Sequence, residues 1–175
     1  MVDKPVSTST QRPIAELFKR LTYGVYVIGA AHSGRQDAFT AAWVMQVSFD
    51  PLLLAVSVNP DNETHALVVA ANAFAVSVLA TGQLNVARHF GTVSGRDEDK
   101  MRAYEWRAAR TGSPVLAEAL AFFDCELLDR HRAGDHELLV GRVVEGALLS
   151  EAGTPMSYAE TGDLDGSSAL YPATF

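Results

Sequence analysis

One cysteine, Cys125, stands in a chain of 175 residues, which excludes an internal disulfide and any metal site needing two or four thiolates. Histidine does not make up for it. His32, His65, His89, His131 and His136 form no H-x-x-x-H pair, so no metal is expected. Positive charge is scarce as well: 14 Lys and Arg against 21 Asp and Glu leave a net charge of −7. Nucleic-acid binding needs a concentrated basic patch to neutralise phosphates, and none is present, so nucleic acid is not an expected partner. No apolar run approaches the ~20 residues of a membrane span. Residues 1–13 are polar and lack the apolar core of a signal peptide. Cytoplasmic residence without a membrane partner is the resulting expectation. A G-x-S-x-G elbow is missing, and no Gly-rich dinucleotide turn follows the first predicted strand. Asp97, Glu98 and Asp99 read as a solvated charge run, not as paired catalytic carboxylates.

What is present suits one domain with a sizeable core, since 48% of the residues are apolar. The expected boundaries are a flexible tail over residues 1–12, a domain over 13–162, and a C-terminal tail over 163–175 that is polar and then aromatic. Residues 13–21 predict a short helix, with proline in its first turn and Ile14, Leu17, Phe18 and Leu21 along one face. Residues 23–31 are apolar on both faces and run into a turn cluster at 32–37, the pattern of a hairpin. A strand over 52–58, a helix over 63–71 capped by Asp61 or Asn62, and a strand over 74–79 follow. A short amphipathic helix over 84–90, a polar loop over 91–100, and strands over 121–129 and 136–149 complete the series. Cys125 shares an alternating face with Phe123 and Leu127 and reads as inert core packing. About six strands, several of them apolar on both faces, with short helices inserted, predict a mainly β protein. A barrel packed inside and covered outside is the expected architecture.

Residues 39–51 are the stretch on which the site is expected to be built. They begin as a strand, yet they place Thr40, Trp43, Gln46 and Ser48 in a run otherwise apolar enough for a core. Asp50–Pro51 then ends the run, because proline cannot donate to a ladder and restricts the residue before it. This is the composition of a ligand-site wall, although a tryptophan in such a run also serves as a core or interface residue. Two other places could carry chemistry. The turn over 59–64 offers either an ordinary helix cap or an anion-binding corner made by N–H groups and the Thr64 hydroxyl, with Glu63 competing for it. His136 follows Gly134–Asp135 at the mouth of a strand, where a barrel's end opens. His32 and His131 are expected in exposed turns, and His89 in a partly buried structural role.

Together these residues resemble the flavin reductase-like family, the FMN-binding split barrels of Greek-key type. The similarity spans about Phe18 to Tyr158. It rests on residues 40–51, on Glu63–Thr64–His65, on 74–79, on 112–116, and on Gly134–Asp135–His136 followed by Val140–Gly141–Arg142–Val143. In pattern the chain is most similar to flavoredoxins and to the flavin reductase domains attached to flavodiiron proteins. The resemblance implies a homodimer with noncovalent FMN near the dimer interface. NADH or NADPH is the implied donor, and a redox protein or a monooxygenase component the implied partner. By the same resemblance Thr40, Trp43, Val44, Gln46, Val47 and Ser48 line the flavin ring, while Asn59, Thr64 and His65 belong to the segment that reaches the ribityl phosphate. Lys100 lies in the loop that closes over the cofactor, His136 stands where a nicotinamide approaches, and Tyr171 covers the site.

The chain departs from that pattern in two ways. It has Pro51–Leu52 where many members have two prolines, and Asp37 where members with a tryptophan at position 43 often have asparagine. A carboxylate pointing inward at Asp37 would disfavour an anionic reduced flavin. Three functions stay open on these residues: an NAD(P)H oxidoreductase of the flavin reductase type, an electron-transfer flavoprotein without a pyridine nucleotide site, and a non-redox binding module.

Overall fold

The computed structural model describes residues 14–95 and 98–175. The expected flexible tail over 1–12 and Asp97 of the charge run lie outside the described residues. The fold is mainly β, as the residue pattern predicts. Helix α1 (Ile14–Phe18) precedes strands β1 (Tyr26–His32), β2 (Arg35–Ala41), β3 (Val44–Phe49) and β4 (Leu52–Val58). Helix α2 (Glu63–Ala71), strand β5 (Ala73–Val78) and helix α3 (Leu84–Thr92) follow. The short strands β6 (Trp106–Ala108) and β7 (Pro114–Leu116) lead to the long pair β8 (Ala121–Ala133) and β9 (His136–Leu148).

Seven strands form one antiparallel sheet in the order β2-β1-β5-β8-β9-β4-β3, and β6 pairs with β7 alone. Ser33 and Gly34, both at positive φ, form the tight turn between β1 and β2, the geometry that matches the twist of a hairpin. The two edge strands β2 and β3 are consecutive in the chain. The predicted single strand over 39–51 is thus corrected: it is the end of β2, a corner at Ala42–Trp43, and all of β3. The corner arises because the chain leaves one edge of the sheet for the other. There Trp43 O accepts from Ser57 N at 3.0 Å, tying the corner to β4. Among the described residues nine strands stand where about six are expected, because β6 and β7 are too short to show a period and the run over 39–51 divides between β2 and β3. The predicted helix over 13–21 is a single turn at 14–18 followed by turns. His32 and His131 are exposed as expected, but on strand ends, not in turns.

The core lies on both faces of the sheet. Ile28, Val56, Phe74 and Leu139 are fully buried in one cluster that also holds Val68 of α2. Leu79, Phe90, Met101 and Met156 fill a second cluster under α3. Gly141 is required where β9 crosses the first cluster: a Cβ there would lie 2.6 Å from Phe74 Cζ and 2.8 Å from Cys125 Cβ. Cys125 is free and buried, as its place among apolar neighbours predicts. Asn62 caps α2, its side chain accepting from Thr64 N at 3.0 Å.

Candidate functional site

The corner between β2 and β3 opens onto a first cavity, of about 250 Å³. Thr40 and Trp43 come from that corner, Asn59 from the end of β4, and His136 from the start of β9. Phe18 of α1, Tyr158 and Tyr171 close the other side, and the Phe18 and Tyr171 rings lie 5.2 Å apart. Trp43 is 42% exposed and stands 4.9 Å from the His136 ring. An indole so open has little to do with the core, and its exposed face is available to a ligand. His136 is oriented from behind, with Nδ1 2.9 Å from Asp135 Oδ1. An ionised carboxylate only accepts, so Nδ1 carries the proton in that bond, and His136 in turn holds the Asp135 carboxyl below the ordinary carboxylate range. The Thr40 hydroxyl donates to Ala87 O at 2.8 Å, joining the wall to α3.

A second cavity of about 270 Å³ adjoins the first. It is lined by Asp61, Asn62 and Glu63 at the start of α2, by the end of α3 and the chain after it through Gly95, and by Lys100. Phe39 and Asn62 line both cavities, so the two meet there. Behind this chamber lies a buried polar cluster. Asp37 is 5% exposed; Thr64 Oγ1 donates to its Oδ2 at 2.8 Å, and Lys100 Nζ lies 3.2 Å from its Oδ1.

The residues singled out in the sequence therefore divide into three groups. Thr40, Trp43, Asn59, His136 and Tyr171 meet at the first cavity. Asp37, Thr64 and Lys100 meet one another, with Lys100 at the wall of the second chamber. Asp37 does not line the first cavity. Thr64, expected in the segment that reaches the phosphate, and Lys100, expected in the loop that closes over the cofactor, both reach Asp37, because a buried carboxylate needs donors and a cation. Val44, Gln46, Val47 and Ser48 lie on the edge strand β3 and do not line either cavity. Gln46 Nε2 donates to Ser48 O at 3.3 Å. His65 faces away, its Nε2 2.6 Å from Glu137 Oε2, which Arg130 also grips. Phe18, Phe39 and Tyr158 were missed as site residues. The apolar face of α1 looked like ordinary packing, and Phe18 shows its role only through its 43% exposure beside the cavity. Among the described residues, no group of His, Cys, Asp and Glu could hold a metal ion.

An antiparallel β protein in which a partly aromatic cavity adjoins a polar one has the build of a small-molecule-binding domain. The chain belongs to the flavin reductase like domain family, whose model matches residues 18–165. It is 38% identical over 141 residues to the high molecular weight rubredoxin of Moorella thermoacetica, covering 79% of this chain and 61% of that protein. It is 35% identical over 137 residues to an FMN reductase (NADH) of Methylorubrum extorquens, covering 78% of this chain and 67% of that one. The chain thus spans about three fifths to two thirds of the length of these two relatives. Among solved structures it is similar to the Streptomyces globisporus NADH:FAD oxidoreductase in complex with NAD and FAD fragments. The TM-score is 0.77 at 29% identity, covering 85% of this chain and 87% of that one.

Proposed function

We propose that the chain binds FMN noncovalently and is an oxidoreductase of the flavin reductase type, passing electrons from NADH or NADPH to free flavin or another acceptor. The observation that carries this is the pair of cavities meeting at Phe39 and Asn62. A molecule with a flat, mostly apolar ring and an anionic tail matches that succession of environments. The donor set fits. Trp43 and Tyr171 offer aromatic faces, the corner between β2 and β3 offers backbone groups, and the second chamber combines the first turn of α2 with Lys100. The relatives named for NADH, FMN and FAD support the same cofactor and donor.

The flavin, when bound, supplies the redox chemistry, and the chain supplies binding, orientation and exclusion of water. Trp43 flanks the ring, and Tyr171 and Phe18 shield it from solvent. His136, fixed through Nδ1 by Asp135, orients the incoming nicotinamide. Met45, Val47 and Phe49, exposed on the edge strand β3, support a homodimer in which β3 is covered and its edge is no longer open. In that homodimer Val44, Gln46, Val47 and Ser48 act at the interface. The sheet whose edge strands are consecutive supports the split-barrel reading. Among the described residues no helix is long and apolar enough to cross a membrane. Relatives that include a high molecular weight rubredoxin support a redox protein or a monooxygenase component as the partner, in the cytoplasm.

A visible spectrum of the purified protein, followed by anaerobic mixing with NADH and then NADPH, tests the reading. Oxidised flavin bands that bleach with one donor are expected. Colourless protein that takes up no FMN on dialysis refutes the cofactor, and bands that persist with both donors refute the reductase. The net charge of −7 favours one alternative for the second outcome, an electron-transfer protein that docks on a basic partner and uses no pyridine nucleotide.

A further inference from the structure

We infer that His65 and Glu137 form a clasp that positions His136 against Trp43 and so fixes how the incoming nicotinamide is met. The assignment rests on the reductase reading above and makes both of them positioning residues, since neither lines the first or the second cavity. His136 stands at a weak place in the fold. The last pair of the β4–β9 ladder is Val58 with Glu137, so His136 lies one residue beyond it. On its other side His136 faces Ala133, the closing pair of the β8–β9 hairpin. The β5 pairing leaves β8 at Glu126, and among the described residues no strand flanks β8 beyond that point. Residues 128–135 are all exposed. A two-stranded ribbon is marginal by itself, yet this one carries the histidine assigned to the donor.

The clasp ties that ribbon to the body of the protein. Glu137 directly follows His136, and its Oε2 lies 2.6 Å from His65 Nε2. Arg130 of β8 donates to both of its oxygens, Nε to Oε2 at 3.1 Å and Nη2 to Oε1 at 3.0 Å. Arg130 first, and His65 next, hold the Glu137 carboxyl below the ordinary carboxylate range. An ionised carboxylate only accepts, so His65 Nε2 carries the proton in their bond. The His65 and Glu137 side chains are 12% and 16% exposed, and salt screens such a pair little. One carboxylate thus joins β8, β9 and α2. Helix α2 is a firm anchor, because Asn62 caps it and the fully buried Thr64 gives its hydroxyl to Asp37. Asp135 orients the His136 ring through Nδ1, but its side chain is 88% exposed and rides on the tip itself. Asp135 therefore sets the direction of the ring, and the clasp sets its place 4.9 Å from Trp43.

Two readouts on the full chain test the clasp. One is the rate of flavin bleaching by saturating NADH or NADPH, whichever reduces the wild type, in anaerobic stopped flow. The other is the ring-proton resonance of His136 in the unliganded protein, which the Trp43 ring current displaces. His65→Leu and Glu137→Ala are each expected to slow bleaching about tenfold, within the range that a misplacement of about 1 Å costs. Both should move the His136 resonance toward that of an exposed histidine and leave the Kd for FMN within about threefold of wild type. His65→Gln keeps an N–H at the reach of Nε2 and should restore both readouts, with bleaching within about threefold of wild type. Combining His65→Leu with Glu137→Ala should cost no more than either alone, because each removes the same contact. Glu126→Gln breaks the Arg142–Glu126 pair across the same hairpin but away from its tip, and should change neither readout. Bleaching within about twofold of wild type in folded His65→Leu, an unmoved His136 resonance, or an equal loss in Glu126→Gln would each overturn the inference. Glu137→Ala, on the strand surface, decides the matter if His65→Leu does not fold. Wild-type protein that takes up no FMN, or whose flavin neither donor bleaches, overturns the reductase reading instead, and the His136 resonance then decides the clasp alone.

Discussion

Replacing Trp43 by alanine separates a ligand wall from a structural tryptophan. The indole is 42% exposed, so on a side chain of roughly 250 Å² about 100 Å² is open to a ligand. A ring covering about half of that area gains ~1.3 kcal/mol at ~25 cal/mol per Å². An offset or tilted aromatic pair adds ~0.5–1.5 kcal/mol beyond area. Trp43→Ala should therefore cost about 2–3 kcal/mol of FMN binding, or roughly 30- to 150-fold in Kd. The same change touches the fold lightly, since the side chain's principal aromatic neighbour is His136 at 4.9 Å. The melting temperature should fall by less than about 4 °C, the shift of ~1 kcal/mol in a domain of this size. Fluorescence titration with FMN and calorimetry of the unliganded protein give the two numbers. Trp43→Phe, which keeps an aromatic face, should recover most of the affinity. An FMN affinity in Trp43→Ala within about twofold of wild type refutes the assignment of the β2–β3 corner to the ring.

His136→Ala should slow flavin bleaching by NADH about tenfold or more in stopped-flow mixing while changing FMN affinity little, because the histidine is assigned to the donor and not to the ring. Equal losses in both quantities would move it to the cofactor side. Burial pushes the Cys125 thiol up to about 12, with nearby Asp124 adding to the effect. Native protein should resist thiol reagents at pH 8 and react within minutes in denaturant, because the thiolate is the nucleophile. Glu137 is held below the ordinary carboxylate range, first by Arg130 and next by His65. A depressed carboxylate contributes stability above its unfolded pKa and loses it as pH falls through the folded value. The destabilisation caused by Glu137→Gln, read by urea unfolding, should thus be largest at neutral pH and shrink as the solution is acidified below the usual carboxylate range. A difference that stays constant down to pH 3 would remove the ion pair from the account.

Much of this was legible locally. The α2 cap at Asn62, the hairpin turn at Ser33–Gly34 and the inert Cys125 each follow from short-range rules of capping, positive φ and burial. The break at Ala42–Trp43 was not legible, because a strand that changes sheet edge keeps its β-prone composition on both sides of the corner. Thr40, Trp43, Asn59, His136 and Tyr171 were singled out individually, and the fold brings them to one cavity. The commitment of Thr64 and Lys100 to Asp37 could not be read in advance, since it depends on three segments far apart in sequence. Phe18 was hidden for the opposite reason: its place on the apolar face of α1 looked like packing until its exposure was known.

The consecutive edge strands carry a consequence for assembly. β2 hangs from β1 and β3 from β4, and the path between them through the sheet runs by way of β5, β8 and β9. The Ala42–Trp43 corner therefore acquires its geometry only when the β4–β9 pairing, which sets Leu54 against Gly141, has formed. Non-local pairings of this kind are slow to close. Ligand affinity is then a property of the finished sheet alone. A refolding chain that has regained its helices and hairpins but not the β4–β9 pairing should be blind to FMN, so the recovery of flavin quenching dates that pairing.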